Sequence, residues 1–327
     1  MKILLILFSA VLINQNVYAE NLCSNDHLAY PKSLSDINDN QETSCDLCGC
    51  FMGIDPNFSN NMIGIRYSSF KYFADANEVN DPNLDHEGHD GTSSTEYYNN
   101  IELYGRYYFS PKLKLMFNIP FSSNDINGKK LNGFGDMKVF LQYQLYNSSI
   151  ERHTSFWQRI FLGGGMKLPT GVYNKSFVFG VVDPHFQPGT GSFDILLTGN
   201  YLAKFVDPGI GFNMDVLYSL NGENKNDYRF ANLFNITSSL FYEVMPSDQF
   251  TMLPHAGVYY ENAKNDKQNG VDVKDSGGWA FFGTGGIDFY LSNYSLELTF
   301  QYPFSQNLNG TQPQNEYRFF IGAGYSF

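Results

Sequence analysis

From residue 60 onward, apolar and mixed positions alternate with period two, in segments of roughly ten residues. In NIELYGRYYF, residues 100–109, Ile101, Leu103, Tyr107 and Phe109 share one face. Glu102, Tyr104, Arg106 and Tyr108 share the other. In KLKLMFNIP, Leu113, Leu115, Phe117 and Ile119 alternate with Lys114, Met116 and Asn118. In GDMKVFLQYQL, Met137, Val139, Leu141, Tyr143 and Leu145 alternate with Asp136, Lys138, Phe140, Gln142 and Gln144. The pattern recurs near 60–73, 159–169, 191–204, 210–220, 231–244, 249–261, 278–291, 294–302 and 316–327. That makes about twelve segments, each with the side-chain period of a strand.

A soluble β-sandwich alternates in the same way, with one face in a core and one in water. A transmembrane barrel turns its apolar face to lipid and its mixed face to the lumen. The connections separate the two. SPK at 110–112, VDPG at 206–209, MPSD at 245–248 and SN at 292–293 are tight links. Between them lie longer polar stretches at 74–95, 121–133, 170–190, 221–230, 262–277 and 303–315, with 146–158 a long link where a short one is expected. Tight turns at one end and long loops at the other are the outer-membrane pattern. The chain is therefore read as all-β: over 60–327, an antiparallel up-and-down transmembrane β-barrel of about twelve strands, with short periplasmic turns and long extracellular loops. Aromatics near strand ends (Phe109, Tyr143, Tyr201, Tyr218, Tyr242 and Tyr302) suit girdles at the two membrane interfaces.

The first nineteen residues, MKILLILFSAVLINQNVYA, combine Lys2, a short apolar run and a Val17-Tyr18-Ala19 cleavage signal, and are read as a signal peptide. Residues 20–59 form a periplasmic amino-terminal segment, rich in Asn, Asp and Ser, that is partly disordered or plugs the barrel. Localisation in the cell outer membrane follows, with lipid, lipopolysaccharide and the outer-membrane assembly machinery as partners. The last segment, YRFFIGAGYSF, ends on an aromatic residue and resembles the terminal strand that this machinery reads. A net charge of −12 excludes nucleic acid as a partner, because no basic patch is present to neutralise phosphates.

If the apolar face meets lipid, the lumen carries Arg66, Glu102, Arg106, Lys114 and Asp136 as a candidate solute path. It continues with Lys138, Arg159, Lys167, Asp194 and Asp215, then Glu243, His255, Asp288, Glu297 and Arg318. Acids and bases look evenly mixed, which predicts a ladder of cross-strand pairs hydrating a passage rather than a strongly ion-selective ring. Phe140, Phe161, Phe282, Phe320, Tyr104 and Tyr290 point the same way and make parts of the interior apolar. Such a barrel is expected to pass small solutes through a narrow or partly plugged lumen. No serine motif, carboxylate pair or histidine partner singles out a catalytic constellation, so no enzyme activity is expected. LGGGMKL and FFGTGG lack the following helix and Lys-Ser/Thr of a phosphate loop, and read as bends or close packing in a barrel wall.

Two clusters lie outside this pattern. Cys45, Cys48 and Cys50 stand just before the barrel, with Cys23 upstream, in a compartment that permits disulfides. Two disulfides among the four, or a soft metal ion on the three clustered thiolates, are both open. In the first long loop, DHEGHD offers His86 and His89 with neighbouring carboxylates to zinc or copper. The second functional reading is thus a barrel scaffold that binds or senses a metal ion; no other cofactor is expected.

Three motifs in order, NGFGDMKVFLQYQL at 132–145, LGGGMKLPTGVY at 162–173 and QPGTGSFDILLTGNY at 187–201, resemble those of a family of transporter-like outer-membrane proteins grouped under a phenol-degradation meta-pathway. CDLCGC at 45–50 followed by IGIRY at 63–67 resembles the opening of that family's Bacteroidetes-type branch. The resemblance covers most of residues 45–327. It implies a barrel that moves small solutes, aromatic or hydrophobic ones among them, and it carries over no catalytic residue.

Overall fold

The computed structural model describes residues 60–74, 93–148, 155–176 and 183–327. The alternating segments become twelve antiparallel strands: β1 (Met62–Ala74), β2 (Ser94–Ser110), β3 (Leu113–Ile126), β4 in two pieces (Lys129–Phe134 and Met137–Asn147), β5 (Phe156–Leu168) and β6 (Asp194–Phe205). They continue as β7 (Ile210–Leu220), β8 (Leu233–Tyr242), β9 (Phe250–Ala263), β10 (Gly278–Leu291), β11 (Tyr294–Leu308) and β12 (Gln314–Ser326). Each strand pairs with the next, and β12 pairs with β1 from Met62↔Ser326 to Phe73↔Gln314. The sheet therefore closes on itself and leaves no open edge for lipid to meet. Among the described residues no α-helix is present, and a 3₁₀ turn is complete at Pro184–Phe186.

Burial follows the pleat. Ile63, Ile65, Ile101, Leu103, Leu141, Leu162, Leu197 and Leu240 are exposed on the outside, while their neighbours in sequence turn inward and are buried. Exposed apolar side chains around a closed sheet are the lipid-facing band of an outer-membrane barrel. Aromatic pairs mark both rims of the band. Phe156 meets Phe205 (ring centroids 4.8 Å) and Tyr294 meets Tyr325 (5.3 Å) near the short turns. Phe121 meets Phe134 (5.3 Å) and Phe281 meets Phe304 (4.8 Å) toward the long loops. Of the expected girdle residues, Phe109, Tyr143, Tyr218, Tyr242 and Tyr302 are exposed on the outside. Tyr201 is half-buried and donates from its hydroxyl to Gln158 Oε1 at 3.0 Å.

The stretch 121–133, expected as a loop, is a hairpin instead. β3 runs on to Ile126 and returns as the first piece of β4, with Phe121↔Phe134 and Ile126↔Lys129 in register. Asn127 and Gly128 have φ of 50° and 85°, the paired left-handed conformations of a type I′ turn, which favours Asn-Gly because its twist matches the strands. Likewise 303–315 is mostly strand, since β11 extends to Leu308 and β12 starts at Gln314. MPSD is not itself the turn, because Val244–Ser247 still pairs along β9. Beyond the rim, Tyr228–Arg229, Lys267–Gln268 and Val271–Asp272 form a small three-stranded sheet that ties two outer loops together.

Inward glycines make room for large side chains. A Cβ at Gly163 would come within 2.7 Å of Gln142, and one at Gly165 within 2.7 Å of Phe140. The run Gly163-Gly164-Gly165 is thus a packing feature of the wall, with no helix after it.

Candidate functional site

The lumenal wall gathers the buried polar residues. All fourteen candidate path residues, Arg66 to Arg318, are buried on the inner face, and Glu243 lies with them. Phe140, Phe161, Phe282, Phe320, Tyr104 and Tyr290 are buried there too.

Toward the outer end, β4 breaks between Phe134 and Met137. Asp136 stands in the break and holds both limbs of the β5–β6 loop. It accepts hydrogen bonds from Gly171 N (2.9 Å), Thr190 N (2.7 Å) and Thr190 Oγ1 (2.8 Å). Lys167 lies 3.8 Å from Asp136 and pairs closely with Asp194, its direct cross-strand neighbour. Asp194 Oδ1 accepts from Ser192 Oγ at 2.8 Å and from Gly222 N at 3.0 Å, which carries the network into the next loop. Two glycines allow this closeness, since a Cβ at Gly171 or Gly189 would fall within 2.9 Å of Asp136 Oδ1.

Arg318 occupies an aromatic box. Its guanidinium lies 4.2 Å from the centroid of Phe282, with Phe70 and Tyr259 at 5.4 and 5.6 Å. It forks onto Glu261 at 3.0 and 2.6 Å, the two-toothed geometry that suits guanidinium to carboxylate. Glu261 was not among the expected path residues, although period two from His255 reaches it; the predicted strand stopped at that residue.

Nearer the short turns, Arg66 donates to Glu102 Oε2 from Nε (3.0 Å) and Nη2 (2.5 Å) and leans over Tyr104. Lys114 sits 4.2 Å and Arg159 5.2 Å from the centroid of Phe161. Lys204, also missed, bonds Glu243 at 2.5 Å beside the Trp157 ring. Asp215 accepts from Asn200 Nδ2 (2.8 Å) and Asn213 Nδ2 (2.6 Å). His255 Nε2 stands 3.8 Å from Asp288 Oδ1.

A second cluster lies outside the membrane and joins three loops. His185 Nε2 lies 2.9 Å from Asp266 Oδ2 and 3.1 Å from the Tyr228 hydroxyl, which donates to the same carboxylate at 2.6 Å. The ring also packs edge-on against Phe230 at 5.4 Å. Burial pulls the His185 pKa down, but the hydrogen bond and charge of Asp266 outweigh it, so the net shift is upward. Burial pushes Asp266 up, but His185 and Tyr228 outweigh it and hold the carboxylate below its ordinary range. Tyr228 is raised, by burial first and then by its bond to Asp266.

Among the described residues no group of three or more His, Cys, Asp or Glu side chains is arranged to hold a metal ion. Cys23, Cys45, Cys48, Cys50, His86 and His89 lie outside the described residues, as do residues 1–19, which the sequence reads as a signal peptide.

The fold is shared with an outer membrane channel from Pseudomonas putida F1, at 16% identity and a TM-score of 0.53, covering 82% of this chain and 96% of that one. Weaker likenesses are to the NanC porin (10% identity, TM-score 0.39, 80% and 100% covered) and the β domain of the Bordetella autotransporter BrkA (10%, 0.44, 82% and 100%). No curated protein matches the sequence. A family model matches residues 88–327, and the chain belongs to the outer-membrane barrel family described as "Putative MetA-pathway of phenol degradation".

Proposed function

We propose that this barrel is an outer-membrane channel or transporter for small solutes, with aromatic and hydrophobic compounds as the favoured class. The observation that carries the reading is an inner face of polar and aromatic side chains within an apolar outer band. Several of its polar atoms have no hydrogen-bond partner among the described residues: both amide atoms of Asn118, the hydroxyls of Thr284 and Thr299, and Gln301 Oε1. A buried polar atom without a partner is costly, so these groups suit a lumen that water or a solute enters. Phe140, Phe161 and Phe282 give the same lumen apolar faces, and the family's phenol-pathway description agrees with an aromatic cargo.

At the periplasmic mouth of the described barrel, Asn60 O accepts from Arg106 Nε at 3.1 Å.

The test is planar-bilayer conductance of the mature chain beside a form starting at Asn60, followed by liposome uptake of phenol against a hexose. Conductance steps in the shortened form, with uptake favouring phenol, are the expected result. Silence from both folded proteins would sink the channel reading. Retention of copper or zinc by Cys45, Cys48, Cys50, His86 and His89 would then decide for the metal-binding scaffold.

A further inference from the structure

The β5–β6 loop does not stay above its own strands. Asp183 accepts from His185 N at 2.9 Å and caps the 3₁₀ turn Pro184–Phe186, whose first φ is fixed by the proline ring. Phe186 is fully buried. Its ring meets Tyr98 of β2 edge-on at 6.2 Å, and its carbonyl accepts from Asn124 Nδ2 of β3 at 2.8 Å. By the period of two, Tyr98 shares the lumenal face of β2 with Glu102, and Asn124 that of β3 with Asn118. Tyr98 is held in turn by Tyr72 of β1, at 5.4 Å, and by donating to Glu96 Oε2 at 2.8 Å. One residue earlier, His185 reaches the other way, to Tyr228 in the β7–β8 loop and Asp266 in the β9–β10 loop.

In an up-and-down barrel, order along the chain becomes position around the circumference. The middle of the β7–β10 arc lies half-way round the closed ring from the β2–β3 pair. Two adjacent residues, His185 and Phe186, therefore tie opposite sides of the outer mouth together, and the chain from Asp183 to Gln187 lies across it. The segment is also braced along its length. Gln187 Oε1 accepts from Lys175 N at 3.0 Å, and Gln187 Nε2 donates to the carbonyls of Lys175 (2.9 Å) and Asp183 (3.1 Å). Just beyond it, Thr190 is held by Asp136 from below, and its carbonyl accepts from Asn224 Nδ2 at 2.8 Å.

We infer that Asp183–Gln187 is a fixed crossbar over the outer mouth, anchored by Phe186 on one side and His185 on the other, which limits the breadth of the solutes that enter. This deepens the channel reading and rests on it. Twelve strands enclose a bore between that of a side-chain-filled eight-stranded barrel and that of an open porin. A bar across such a bore leaves two narrower slots. Flat, single-ring solutes fit a slot edge-on, whereas branched or multi-ring ones meet the bar. Packing and hydrogen bonds on both sides hold the segment in place, so it acts as part of the wall and selects by shape.

Two measurements test it, on proteins checked for folding by heat-modifiable migration. The first needs no conduction. Phe186→Ala loosens the β2–β3 anchor, and backbone amide exchange is then read on the far side, in residues 224–231 and 264–277. Exchange there is expected to rise about fivefold, the lower end of coupling between distant sites. Asn124→Ala, which weakens the same anchor from the wall without altering the loop, should move the same segments in the same direction. Far-side exchange unchanged in both variants would overturn the crossbar. The second measurement sizes the mouth through single-channel current, with polyethylene glycols of increasing length added on the loop side. The double variant His185→Ala with Phe186→Ala is expected to admit longer polymers than the unaltered protein. An unchanged exclusion limit would overturn the role in size selection even if the barrel conducts. Coupled exchange in a barrel that never conducts would keep the tie across the mouth and reject the channel reading.

Discussion

Gly286 lies directly opposite His255 in the β9–β10 register, and a Cβ there would stand 2.6 Å from the imidazole Nε2. It would also meet the backbone carbonyl of Leu298. The histidine therefore reaches Asp288 only because its neighbour has no side chain. Gly286→Ala is expected to destabilise the barrel by about 1–3 kcal/mol, the usual cost of overpacking. Urea unfolding in micelles, followed by tryptophan fluorescence, measures it. Adding His255→Ala should recover only part of the loss, because the clash with the Leu298 carbonyl remains. An unchanged midpoint for Gly286→Ala would show that this contact is not tight.

The His185–Asp266 contact makes the outer loops pH-dependent. His185 has a raised pKa, so its contribution is complete below the ordinary histidine value of 6.5 and fades as pH rises through the raised one. Asp266 has a lowered pKa, so its contribution is complete above the ordinary value of 3.8 and fades as pH falls through the lowered one. The contact is thus strongest between about pH 4 and 6.5. His185 is half exposed, with 48% of its side-chain surface accessible, so the effect belongs to the loops and not to the barrel as a whole. Backbone amide exchange in residues 183–190, 224–231 and 264–277, corrected for the intrinsic pH effect, should be slowest in that window. His185→Gln should flatten the profile. A profile as steep in His185→Gln as in the unaltered protein would assign the dependence to other groups.

Lipid exposure sets a depth-dependent penalty for charge. Leu162 lies near the middle of β5 with half its surface exposed, while Leu115 sits only two residues from the periplasmic start of β3. Leu162→Arg is expected to cost about 2–4 kcal/mol, and Leu115→Arg about 0–1 kcal/mol near the interface. Refolding into vesicles with a denaturant titration distinguishes them. Equal costs would contradict the placement of these residues in the membrane.

Period two made the strands and their inner faces legible, because a half-polar, half-apolar wall must alternate wherever it crosses the bilayer. The alternation weakens above the rim, where both faces meet water, and there the sequence of the β3–β4 hairpin reads as a loop. Its Asn127-Gly128 pair was nonetheless a turn signal in plain view. The lumenal charges are legible one at a time from the same alternation, as at Glu102, Lys167 and Arg318. His185, Tyr228 and Asp266 come from three separate loops, and no local spacing announces a contact built that way.

The seam between β1 and β12 has a consequence for how the molecule comes into being. Met62 meets Ser326, and Phe327 N donates to Asn61 O at 2.9 Å, so the last strand made completes the first. Every other strand pair can zip with a partner close in sequence, but this one must wait for the whole chain and bear the largest loop-closure cost. Until it forms, β1 and β12 present raw edges on which a neighbouring unfinished chain could pair. A premature stop that removes β12 would therefore leave not a slightly smaller cylinder but an open ribbon, with its unclosed edges as the hazard.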